Sequence, residues 1–194
     1  MDKTALEEIA AIEGEMLDRA RTCGGQSFRR EEPAAYFIRR TSRLEMWTQQ
    51  MRESYLRLLR QAETEGRNLL CEGHACLLEW TDPVKYAKIK ERLPERSMET
   101  LWLADWLWEA HRAWRAETER AYPCLSALTS GGETDLRGEL TTYSVELLRL
   151  YAAYVEHLET EGRNMNQMIL ENTAAQYGFD SLEAAELRLS WNAV

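Results

Sequence analysis

Two arginines, two glutamates and two asparagines sit beside glycines in a string that this chain uses twice. The copies are Glu63-Thr64-Glu65-Gly66-Arg67-Asn68 and Glu159-Thr160-Glu161-Gly162-Arg163-Asn164. Tyr55 and Tyr151 precede them at matched distances. Arginine holds a carboxylate or phosphate through two parallel hydrogen bonds, and a buried glutamate with a raised pKa acts as a general base. If the two strings met, Glu65, Arg67, Asn68, Glu161, Arg163 and Asn164, with Tyr55 and Tyr151, would form a polar pocket for a small anionic molecule. The competing reading makes the same charges salt bridges that fix the register of two halves.

The likeness extends beyond the strings. At the same offset, Trp47 matches Tyr143, Thr48 matches Ser144, Met51 matches Leu147, Leu59 matches Val155 and Leu69 matches Met165. Apolar positions keep their character while surface positions differ. The period is too long for a solenoid, so the expectation is a pseudo-twofold pair of helical halves, residues 1–96 and 97–194, in one domain.

The elements that must position these residues read as helices throughout. Leu6, Ile9, Ile12 and Met16 recur at helical spacing over residues 4–20, and Gly24-Gly25 ends that segment. Pro33 opens another helix. A long apolar stripe then runs from Leu44 through Trp47, Met51, Tyr55, Leu59, Gly66, Leu69, Gly73 and Leu77 to Trp80. Asp82-Pro83 starts a short helix, and Ser97 opens the second half. Residues 98–120 carry Trp102, Trp106, Trp108 and Trp114, a density that predicts the most buried helix of the chain. Leu125 to Asp135 reads as a loop around Gly131-Gly132, residues 138–177 repeat the long segment, and Asp180 or Ser181 caps a last helix. No stretch alternates like a strand, so the fold class is all-α, a helical bundle.

Each repeated glycine allows two readings. Glycine inside a helix costs roughly 1 kcal/mol relative to alanine, so it needs a cause. Gly66 and Gly162 sit either at tight corners, with Asn68 and Asn164 capping the next helix, or within continuous helices, where they let another backbone or a ligand come close. Unbroken apolar phase favours the second reading, and outward-facing asparagines favour the first.

Composition narrows the class of function. The chain has 194 residues, 29% of them charged, and a net charge of −9. Residues 97–194 hold 7 Arg, no Lys and 16 Asp/Glu, so the whole excess lies in the second half. An acidic half repels phosphate backbones, which argues against nucleic acid. No run approaches about 18 uninterrupted apolar residues, so no membrane span is expected, and the start at Met1-Asp2-Lys3-Thr4 does not resemble a signal peptide. The four cysteines, Cys23, Cys71, Cys76 and Cys124, lack zinc spacing and fit reduced thiols in a cytoplasmic protein.

The histidines lie in Glu72-Gly73-His74, Glu109-Ala110-His111 and Glu156-His157, none with the Glu-x-x-His spacing of di-metal bundles, so no metal and no cofactor are expected. Glu13 and Glu109, at the repeat offset, could face inward as a carboxylate pair. Arg29, Arg30, Arg39, Arg40 and Arg43 form the main basic patch, read first as solvated or paired with Glu31, Glu32 and Glu45, and second as a grip for an anion. The chain has no phosphate-binding glycine loop and no nucleophile elbow.

Ile12-Glu13, Glu15-Met16, Gly24-Gly25, Ser27, Tyr55-Leu56 and Glu65-Gly66-Arg67-Asn68-Leu69 resemble a bacterial family of about 200-residue proteins classed as a domain of unknown function. Leu140, Tyr143-Ser144, Leu148-Arg149-Leu150-Tyr151 and Glu161-Gly162-Arg163-Asn164 continue the resemblance over nearly the whole chain. Family members resembling this chain carry an aromatic at position 14 and Cys-Gln after Ser27. This chain has Gly14 and Phe28-Arg29 instead, so no role of that cysteine transfers. The resemblance implies boundaries and no mechanism. The expected function is association with itself or with a partner protein; the alternative is a small-molecule-binding protein or enzyme using the anionic-ligand pocket.

Overall fold

The computed structural model describes residues 3–23, 33–129 and 134–192. Among these residues every regular element is helical. In order they are α1 (Lys3–Cys23), α2 (Pro33–Glu45), α3 (Gln49–Thr64), α4 (Leu69–Thr81), α5 (Pro83–Ala87), a 3₁₀ turn (Lys90–Arg92), α6 (Met98–Ala121), α7 (Pro123–Thr129), α8 (Thr134–Leu140), α9 (Val145–Thr160), α10 (Met165–Gln176) and α11 (Leu182–Asn192). The segments around Gly24-Gly25 and Gly131-Gly132, with Arg29, Arg30, Glu31 and Glu32, lie outside the described residues.

The two long segments are broken at matching places. Thr48 and Ser144 stand in extended conformation, and their hydroxyls accept from the backbone N–H of Met51 and Leu147, both at 3.2 Å. Those caps start α3 and α9 after tight turns. At the far ends, Gly66 (φ +69°) and Gly162 (φ +65°) adopt left-handed backbone. The Arg67 N–H reaches Ala62 O at 2.8 Å, and the Arg163 N–H reaches Leu158 O at 2.9 Å, the paired bonds that close a helix at glycine. The corner reading is therefore the right one, and the apolar phase runs through because the turn returns the chain to the same side of the core.

Asn68 and Asn164 explain why asparagine follows. Each side-chain oxygen accepts from the first turn of the next helix, from Cys71 N and Gln167 N, both at 3.1 Å. Each amide nitrogen then donates across to an earlier helix, Asn68 to Met16 O of α1 at 2.7 Å and Asn164 to Trp114 O of α6 at 2.9 Å. One side chain caps a helix and fixes where it crosses another.

The main core draws on both halves: Ile9, Met16, Leu44, Met51, Tyr55 and Leu59 pack with Leu107, Leu140, Leu147, Leu148, Tyr151 and Val155. Tyr55 meets Tyr143 with ring centroids 5.5 Å apart, while Trp47 meets Tyr151 at 5.3 Å. Rising residue numbers in α3 thus face falling numbers in α9, and the two helices cross antiparallel. A smaller cluster of Leu125, Leu170, Ala174, Leu182 and Ala185 holds α7, α10 and α11 together. There Glu186 accepts the Cys124 and Leu125 N–H groups, both at 2.8 Å, and caps α7, so part of the stretch read as a loop is helix.

The tryptophan helix departs from expectation. Trp114 is buried, but Trp102 is 65% exposed and Met98 81% exposed. The core side of α6 is instead formed by Leu103, Ala104, Leu107, His111 and Trp114, which recur at three- and four-residue steps. Density of aromatic residues was a poor guide because their spacing divides them between two faces.

Candidate functional site

The repeated strings do not come together. Since α3 and α9 are antiparallel, their C-terminal ends point to opposite ends of the bundle. Gly66 lies eleven residues past Tyr55, about 16 Å along a helix. Arg67 closes on its own neighbours, Glu72 at 2.7 Å and Glu65 at 2.8 Å, and the Glu72 bonds above all raise its pKa against the opposing effect of burial. Arg163 pairs with Glu161 at 3.1 Å and its guanidinium approaches Met168 Sδ. In place of the expected pocket shared by Glu65, Arg67, Asn68, Glu161, Arg163 and Asn164, the contacts of these residues form two separate corners.

Two arginines and two glutamates do meet inside the bundle, but they are other residues. Glu13 is 0% exposed. Both its oxygens accept from Arg40 Nε, at 2.9 and 2.7 Å, and Oε1 also accepts from Arg40 Nη2 at 2.5 Å. The Tyr55 hydroxyl donates to the same Oε1 at 2.6 Å while accepting from Arg40 Nη2 at 2.8 Å. The third nitrogen, Arg40 Nη1, lies 2.5 Å from Glu139 Oε1, and Arg43 Nη2 lies 2.5 Å from Glu139 Oε2. Tyr143 donates a further short hydrogen bond to Glu139. All three guanidinium nitrogens of Arg40 are used, and the four charges sum to zero.

Helical spacing explains the convergence. Arg40, Arg43 and Trp47 fall at i, i+3 and i+7 along α2 and its following turn, and Glu139 and Tyr143 at i and i+4, so each set shares a face. Burial opposes the charge on Arg40, but Glu13 and Glu139 outweigh it and hold its pKa well above the ordinary value. Burial raises the Tyr55 and Tyr143 hydroxyls, and the adjacent carboxylates Glu13 and Glu139 raise them further. Both phenols are held as donors. Arg43 and Glu139 remain about 15% exposed, so this end of the cluster reaches solvent.

Next to the charges stands an aromatic group. Trp47 packs edge-on against Tyr55, Tyr143 and Tyr151 at 5.6, 5.9 and 5.3 Å. On the far side the Tyr151 hydroxyl pairs with His111 Nε2 at 2.7 Å. Of the eight residues nominated from sequence, Tyr55 and Tyr151 thus line the interior and six do not. Glu13 faces inward as anticipated, whereas Glu109 lies on the surface with Arg112. The residue that faces Tyr151 is His111, 98 positions after Glu13 rather than 96. The basic patch differs for a simpler reason: Arg40 is buried, and its partners among the described residues are Glu13 and Glu139.

His111 carries a pH dependence. Burial lowers its pKa to about 4, with Glu139 acting weakly in the opposite direction. The folded state keeps the ring neutral, whereas the unfolded chain takes up a proton near pH 6.5. Stability from this residue is complete above pH 6.5 and is lost as pH falls towards 4, by about 3 kcal/mol in total. The expected result is that His111→Gln shows a shallower loss of stability than the parent chain between pH 7 and pH 4.5, measured by urea unfolding.

An open cleft of about 340 Å³ lies elsewhere, lined by Tyr122, Gln167, Glu171, Phe179, Asp180 and Glu183. Its charged groups are carboxylates, so it offers nothing to an anion. Among the described residues no group of three or more His, Cys, Asp and Glu side chains is arranged to hold a metal, and no helix is long and apolar enough to cross a membrane.

The family model described as Protein of unknown function (DUF4125) matches residues 3–187. The chain belongs to that family. No match is found among curated proteins or among solved structures. Membership in DUF4125 covers all the described helices up to the last turns of α11, including every residue of the interior cluster. It assigns no activity to them.

Proposed function

We propose that this chain is one domain of two related halves and that it acts inside the cell by self-association. The observation that carries the reading is the outer face of α6. Met98 and Trp102 are one helical turn apart and both project into solvent, although burying a tryptophan is among the largest apolar gains a fold can make. Around them Glu99 pairs with Arg149, Asp105 with Arg137 and Glu109 with Arg112. An apolar centre with a mixed-sign, locally neutral rim suits a second copy, since like charges do not oppose each other across the contact.

The pseudo-twofold reading rests on contacts between matched positions. Arg43 touches Glu139, and Trp47 touches Tyr143, each pair separated by the repeat offset. Residues beside a twofold axis meet their own equivalents in this way. Opposite charges at one matched position suit two halves that diverged after joining, because two identical copies would place like charges there. Free thiols at Cys76 and Cys124 support a reducing, cytoplasmic setting.

Sedimentation velocity across roughly 1–100 μM tests the reading. The parent chain is expected to dimerise. Trp102→Ser combined with Met98→Ser is expected to stay monomeric with an unchanged melting temperature. A parent chain that remains monomeric across that range sinks it. Binding of a small anion is the second reading; it no longer rests on the repeated strings and is taken up at the interior cluster.

A further inference from the structure

We infer that Arg40, Arg43 and Tyr143 form a binding site for a small oxyanion, a carboxylate or phosphate group, which Glu139 fills from within the chain. Three donors from two separate stretches converge on one carboxylate: Arg40 Nη1 and Arg43 Nη2 at 2.5 Å each, and the Tyr143 hydroxyl. Arg40 is already balanced by Glu13, which it binds through two nitrogens. Glu139 therefore balances Arg43. If the Glu139 side chain turns out to solvent, Glu13, Arg40 and Arg43 are left with one net positive charge among donors pre-aimed at an oxyanion. That is the charge and geometry a monoanionic ligand needs.

The exchange asks little of the backbone. Gly73 and Gly138 hold α8 against α4, with a Cβ placed on Gly73 only 3.2 Å from Glu139 Cα. The main chain at Glu139 is fixed, and side-chain rotation alone would open the site. Glu139 lies at the partly exposed end of the cluster, so its carboxylate has a route to water. Trp47 and Tyr55 flank Tyr143 and would meet the apolar part of a ligand.

Glu139→Gln keeps the side-chain shape and removes its charge. Thermal unfolding of this variant is followed with acetate or inorganic phosphate, against chloride at matched ionic strength. Both oxyanions are expected to raise the melting temperature, acting at concentrations at least about tenfold lower than in the parent chain. Adding Arg43→Gln should abolish the response. The stronger of the two probes tells a carboxylate ligand from a phosphate one. In Glu139→Ala, which vacates the space, acetate but not chloride should restore the folded state. A folded Glu139→Gln chain that responds to acetate and phosphate no more than to chloride overturns the proposal. So does a pair of variants that stays unfolded whatever anion is present.

Discussion

Replacing Arg40 by methionine is expected to destabilise the protein by about 3–5 kcal/mol, the range found when one member of a buried ion pair is removed. The change keeps an unbranched side chain of similar length, so the loss is of charge and hydrogen bonds rather than volume. Glu13, fully buried, would lose the guanidinium that fills three of its bonds and keep only the Tyr55 hydroxyl. Glu139 would lose one arginine and keep Arg43. Such a loss is a large part of the stability of an ordinary folded protein, and the variant should be partly unfolded at 37 °C. A double variant checks the cause. Glu13→Gln alone should also destabilise, but Arg40→Met with Glu13→Gln should be less unstable than the sum of the two, because each removes the other's unpaired partner. Equilibrium urea unfolding of the three variants gives the coupling, and additivity would mean that the cluster does not act as a unit.

The placement of this cluster shows where reading the sequence stopped. Helix starts were legible because they rest on local chemistry. Asp82 accepts from Lys85 N at 3.0 Å, Ser97 from Thr100 N at 3.0 Å and Ser181 from Ala184 N at 3.1 Å, each cap falling where polar residues precede an apolar run. The corner at Gly66 was legible as one of two choices, and Asn68 was the residue that distinguished them. The interior charges were not legible in the same way. Arginine and glutamate are almost never fully buried unless paired, and pairing is settled by which helices cross. Glu13 and Arg40 are 27 positions apart, and Arg43 and Glu139 are 96 apart. Still, a signal was present. Arg43 and Glu139 stand 96 positions apart, the spacing of the repeated strings, and carry opposite charges. Looking for complementary rather than identical residues at matched positions would have found it.

Among the described glycines, Gly138 is expected to be the one most damaged by replacement with alanine. A Cβ on Gly138 would lie 2.1 Å from Gly73 O and 3.0 Å from Leu77 Cβ. The first contact is with backbone that is itself part of a helix, so no side-chain rotation relieves it. Either α8 moves away from α4, or one of them loses a turn. Overpacking of a core usually costs about 1–3 kcal/mol, and a clash this short against main chain should reach or exceed the upper end. Its partner in the crossing should behave differently. A Cβ on Gly73 meets Glu139 Cα at 3.2 Å and Glu139 N at 3.3 Å, distances that a shift of a few tenths of an ångström relieves. Gly73→Ala should therefore cost much less than Gly138→Ala. The consequence reaches the interior cluster, because Glu139 follows Gly138 directly. Moving α8 outward draws the Glu139 carboxylate away from Arg40 and Arg43, so the variant loses part of the ion network as well as the helix contact. Urea unfolding of the two alanine variants tests the order. Equal destabilisation, or a greater loss in Gly73→Ala, would mean that the α4–α8 crossing is looser than these distances describe and that Glu139 is held by its arginines rather than by its backbone.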